Sequence, residues 1–90
     1  MLISNYKPAS DVLLSSVEDG AVLLHLESGV YFGLNPIGSE IWHMLMKGQS
    51  NSECIAQLIA SYDLDESTAK RDFENLITEL LEQDLINSNE

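Results

Sequence analysis

One cysteine, two prolines and four basic residues are all this 90-residue chain holds of three residue classes that often carry special roles. A lone Cys54 excludes an intramolecular disulfide. No apolar run approaches the ~18 residues of a membrane span, and no basic segment precedes an apolar stretch as in a secretory signal. A cytoplasmic protein with no membrane partner is expected. Four Lys and Arg against fifteen Asp and Glu give a net charge of −11. That field repels phosphate backbones, so no nucleic acid is expected as partner, whereas a basic peptide would be steered inward.

Catalytic equipment is also scarce. His25, His43 and Cys54 lie 18 and 11 residues apart and match no metal-ligand spacing. Cys54 reads as a small packing residue; a thiol enzyme centred on it is the alternative, since a helix start can activate a thiol. The group Asp63, Asp65 and Glu66 lacks the spacing of a calcium loop and reads as helix initiation. The five glycines are dispersed at turns and build no phosphate loop. Neither an enzyme nor a cofactor is expected.

What is present is a folding pattern. Hydrophobic residues make up 44% of the chain, enough for one globular domain over residues 1–90, with an irregular lead-in at 1–10 and a frayed tail at 87–90. Three short β-prone runs follow the lead-in, at 11–18, 21–26 and 30–34, joined by tight turns at Gly20 and Gly29. Short loops make such strands an antiparallel meander. Alternation predicts Val22, Leu24, Leu26, Val30, Phe32 and Leu34 on the core side, with Leu23, His25, Tyr31 and Gly33 on the other.

Helical signals fill the rest. Asn35 suits an N-cap and Pro36 the first helical position. Gly48 marks a stop. Ser50 and Glu53 form a capping box before a second helix. A third helix from Asp65 carries Ala69, Phe73, Leu76, Ile77, Leu80 and Leu81 as a broad apolar stripe. The class is α+β, laid out βββααα, like a winged helix-turn-helix with its sheet first. A transcriptional regulator is the reading such a layout invites. The third helix carries seven acidic residues over 65–84 against Lys70 and Arg71, the wrong sign for a DNA groove.

The third strand is the candidate site. Val30, Tyr31, Phe32, Gly33 and Leu34 carry no charge and no proline, the usual devices that blunt a sheet edge. A peptide could add there as a further strand, with Gly33 allowing close approach. The same residues fit a plainer reading, with Phe32 in the core, Tyr31 half-exposed and Gly33 at a bulge. The residues alone do not separate the two.

Three motifs then carry a resemblance: "SGVYFGLNPIGSEIW" at 28–42, "KG" at 47–48 before a capped helix, and "RDFENLITELLEQDLI" at 71–86. Together they resemble the PqqD-like family of precursor-peptide recognition domains, over about three-quarters of the chain. The version at 27–42 looks most like stand-alone members of lasso-peptide pathways. The resemblance implies a non-catalytic domain that captures a precursor leader peptide beside the third strand and third helix. It implies delivery to a leader peptidase or another modifying enzyme. The runner-up is presentation of a precursor to a radical SAM enzyme. On the receiving side the resemblance points to 30–34, and on the helix to Lys70, Phe73, Glu74 and Ile77, with Asp72 on the opposite flank. One departure is Gln83-Asp84, where the family often has glycine, so the helix is expected to run on or to cap differently.

Overall fold

A computed structural model describes residues 6–88. In chain order the elements are β1 (Tyr6–Pro8), β2 (Val12–Val17), β3 (Gly20–His25), β4 (Tyr31–Leu34), α1 (Pro36–Met46), α2 (Asn51–Tyr62), α3 (Glu66–Glu82) and β5 (Ile86–Ser88). The βββααα order stands as its centre, and β2, β3 and β4 form an antiparallel sheet in that order.

Helix ends are set by local chemistry. The Asn35 side chain accepts from the Gly38 N–H at 2.7 Å, and Pro36 fills the first turn. At the other end of α1, Gly48 takes φ +81; its N–H donates to Leu45, and that of Gln49 donates to Met44. This pair of bonds satisfies carbonyls that the helix leaves unpaired. The capping box of α2 is complete: Ser50 Oγ accepts from the Glu53 N–H at 3.2 Å, and Glu53 accepts from the Ser50 N–H at 2.9 Å. The third helix does not run on through Gln83-Asp84. Asp84 takes a left-handed φ of 59, and the same two-bond pattern closes the helix.

Two expectations need correction. Part of the lead-in and of the tail is ordered strand: β1 pairs antiparallel with β5, with Tyr6 opposite Ser88 and Pro8 opposite Ile86. Leu85 and Ile86 are fully buried, and Ala9 donates to the Leu85 carbonyl at 2.9 Å, so this stretch is fixed by the core beneath it. Residues 1–5 and 89–90 lie outside the described part.

The faces of β3 are also reversed. Ala21, Leu23 and His25 point inward, while Val22 and Leu24 are half-buried and Leu26 and Val30 are exposed. On β4 the expected parity holds, with Leu34 buried, Phe32 packed on the core and Tyr31 exposed. The reason is register. Leu23 sits opposite Phe32 and Val22 opposite Gly33. Directly paired residues share a face, so odd positions of β3 accompany even positions of β4.

The inner face is covered by the helices. Trp42, Ile41 and Leu45 of α1, Leu58 of α2, and Phe73, Ile77 and Leu80 of α3 meet Leu23 and Leu34 in one core. Each large side chain so buried contributes about 1.5–3 kcal/mol. A bridge outside the core ties α1 to α2: the Glu40 carboxylate accepts from Tyr62 Oη at 3.0 Å and from Gln57 Nε2 at 3.1 Å. The hydrogen bond to Glu40 raises the Tyr62 phenol above its ordinary range.

Candidate functional site

Among the described residues, β4 pairs with β3 alone and is the edge of its sheet. The turn before it fixes which of its backbone groups are free. His25 N–H donates to the Val30 carbonyl at 3.0 Å. Antiparallel pairs alternate between bonded and non-bonded, so Phe32 and Leu34 spend their N–H and C=O groups on β3. Tyr31 and Gly33 turn theirs outward. The register is continuous from Tyr31 to Leu34, so Gly33 marks no bulge. A Cβ added at Gly33 would meet nothing within 4 Å. The edge thus offers two donors and two acceptors at alternate residues.

Two cavities adjoin the two ends of β4, and α3 lines both. One, of about 240 Å³, lies at the β4–α1 junction and is lined by Asn35, Ile37 and Ile41 with Asp72, Asn75, Leu76 and Glu79. The other, of about 520 Å³, lies at the start of β4 and is lined by His25, Ser28 and Val30 with Glu82, Gln83 and Asp84. Asp72, Leu76, Glu79 and Gln83 follow one another at helical spacing, so one flank of α3 serves both ends of β4.

Lys70, Phe73, Glu74 and Ile77 are placed elsewhere. They line a cavity of about 750 Å³ between α2 and α3, together with Tyr6, Ile55 and Ile59. Phe73 and Ile77 are core residues, 2% and 5% exposed. The structure therefore brings Val30, just before β4, together with Glu82, Gln83 and Asp84, and Asn35 and Ile37, just after β4, together with Asp72, Leu76 and Glu79, while Lys70 and Glu74 line the cavity beside α2. The apolar stripe of α3 is broad enough to suit either flank. Only packing against α2 on one side and the sheet on the other distinguishes them.

Residues weighed for chemistry lie apart, on β3, α1 and α2. His25 is 7% exposed, and its Nδ1 accepts from the Ser28 N–H at 3.4 Å. His43 is exposed, with Nδ1 2.7 Å from the Ser39 carbonyl. Cys54 is fully buried, and burial, followed by the Glu53 charge, pushes its thiol up to about 11. At neutral pH such a thiol is protonated and poorly nucleophilic. Thr68 and then Ser67 bond to the Asp65 carboxyl and hold it below the usual carboxylate range, as suits the cap of α3. Among the described residues, no group of three or more His, Cys, Asp or Glu is placed to hold a metal ion. No helix among them is long and apolar enough to cross a membrane.

Known proteins share this architecture. The structure of TbiB1 in complex with the TbiA(beta) leader peptide superposes with a TM-score of 0.85 at 33% identity, covering 93% of this chain and 98% of that one. A lasso peptide synthetase B1 complexed with the leader peptide superposes equally well, with a TM-score of 0.85 at 26% identity over 93% of this chain and 99% of that one. No curated protein sequence matches the chain. The family of coenzyme PQQ synthesis protein D matches residues 20–86. With that span and these two folds in agreement, the chain belongs to the PqqD family.

Proposed function

We propose that this protein binds the leader of a ribosomally made precursor peptide in a lasso-peptide pathway, as a strand added to the open edge of β4. The observation that carries this reading is the edge itself: Tyr31 and Gly33 turn backbone groups outward that have no partner among the described residues. Two structural relatives at 33% and 26% identity were solved with a leader peptide bound. The guest backbone pairs with Tyr31 and Gly33, and its inward side chains settle on Leu76, Ile37 and Ile41. One apolar side chain buried there contributes about 1.5–3 kcal/mol. Two or three such anchors with strand pairing support an affinity near micromolar, about −8 kcal/mol.

The protein performs no chemistry of its own in this reading. It holds the leader for a separate leader peptidase or another modifying enzyme of the pathway. The fixed strand on a rigid sheet presents the remainder of the precursor in one direction.

The test is a calorimetric titration with the leader segment of a lasso-peptide precursor from the organism that encodes this chain. Gly33→Pro removes one outward N–H without touching the bonds to β3, and Leu76→Glu charges the floor of the cleft. Both variants are expected to keep the parent circular dichroism spectrum and to bind at least about tenfold more weakly. Parent-like binding by both folded variants would overturn the assignment.

A further inference from the structure

The cleft has an electrical character that its apolar floor does not require. Along the α3 flank that lines the two cavities, Asp72, Glu79, Glu82 and Asp84 follow one another, and Glu27 and Asp11 close the lower end. No Lys or Arg lines either cavity. No basic residue occurs between Lys7 and Lys47, so the whole β2–β4 sheet and α1 are free of cationic side chains. Among the described residues, Asp72 alone of these has an ion-pair partner, Arg71 at 3.8 Å on the exposed surface.

A second observation concerns the lower of the two cavities, at the start of β4. His25 is more than nine-tenths buried and lines the lower cavity. Its Nδ1 accepts from Ser28, so a neutral ring carries its proton on Nε2. That leaves a donor with no acceptor among the described residues, beside Val30 just before β4. A peptide carbonyl is the group it fits.

We infer, resting on the leader-binding reading above, that the cleft selects a cationic leader: an apolar anchor over Leu76 with Lys or Arg two residues away on one or both sides. The spacing follows from geometry. Along α3, ten residues from Asp72 to Glu82 rise about 15 Å, and five residues of strand span about 16 Å. Inward-facing guest side chains recur every second residue, about 6.6 Å apart. Leu76 lies between Asp72 and Glu79 on the helix, so the anchor's inward neighbours reach the carboxylates on either side. Neutral or acidic neighbours leave these carboxylates crowded and uncompensated when the guest excludes water.

The experiment is a selection of random 20-residue peptides displayed on phage against the full chain, with Gly33→Pro used for counter-selection. Recovered peptides are expected to carry the basic–x–apolar pattern well above its frequency in the input. Recovery of Gly33-dependent binders with no excess of Lys or Arg would overturn this inference and leave leader binding standing. Recovery of no Gly33-dependent binder would overturn both. For a selected peptide, Asp72→Lys with Glu79→Lys is expected to weaken binding about tenfold, as for two partly exposed ion pairs turned repulsive. Adding the same charge at Ala60, Ser61 and Glu66 (each to Lys), none of which lines the cleft, is expected to change it less than about twofold. Equal weakening by both sets would show mere attraction to an acidic protein and would also overturn the inference.

Discussion

The backbone N–H of Leu85 donates to the Leu80 carbonyl at 2.9 Å, and both side chains are fully buried. This bond ends α3 and turns the chain into β5. It requires the intervening Asp84 to adopt φ 59, a conformation that costs a residue with a Cβ about 1 kcal/mol. Its carboxylate also sits at the negative end of the helix dipole. Asp84→Gly is therefore expected to raise the unfolding free energy by about 1 kcal/mol, and Asp84→Val to lower it by more than that. Urea titration followed by circular dichroism measures both.

Gly20 and Gly33 are expected to respond oppositely to the same substitution. Gly20 has φ +143, and a Cβ there would run into the Leu34 carbonyl oxygen. Gly20→Ala must push β4 away from β3 and is expected to cost at least about 2 kcal/mol. Gly33 has regular strand geometry with open space where its side chain would stand. Gly33→Ala is expected to leave stability within about 0.5 kcal/mol of the parent. Thermal unfolding of the two variants side by side checks the contrast.

Cys54 is expected to resist labelling by an aromatic disulfide reagent at neutral pH until denaturant is added, because the thiol is buried and its pKa is pushed up to about 11. The pH consequence has a definite sign. The folded state holds the proton more tightly than the unfolded chain, so the stabilising contribution is complete below the unfolded value of 9.0. It is lost as pH rises from there toward about 11. Stability measured at about pH 8 and about pH 10.5 should fall in the parent, and fall less in Cys54→Ala.

Trp42 is 2% exposed, and its Nε1 has no hydrogen-bond partner among the described residues. Trp42→Phe keeps most of the apolar volume and removes a buried unpaired donor, whose desolvation costs about 1–3 kcal/mol. Its net cost is expected to stay below about 2 kcal/mol, well short of the 3–5 kcal/mol typical of truncating a buried tryptophan to alanine. Urea unfolding of the two variants, monitored by circular dichroism, measures the difference.

Several features were legible because they rest on neighbours in sequence. Asn35 and Pro36, Gly48, and the Ser50–Glu53 pair each act within one helical turn, and each was placed correctly. The three-strand meander and its edge followed from short turns. The inward face of β3 was not legible, because residues 21–26 are apolar or neutral at both parities and alternation gives no preference. Pairing Val22 with Gly33 decided it. The β1–β5 pair was invisible for another reason: two three-residue segments some eighty residues apart carry no local signal. On α3 the apolar stripe named the helix's buried side but not which cavity each of its flanks lines.

The sequence by itself determined where helices begin and stop, that the third strand carries no edge-blunting residue, and that the chain is strongly acidic. These are properties of residue types and of spacings within a few positions. Only the tertiary structure decided which face of β3 meets the core and which flank of α3 lines the cavities at the two ends of β4. Those depend on strand register and on how three helices share one small sheet, and such contacts form between residues that no local pattern links.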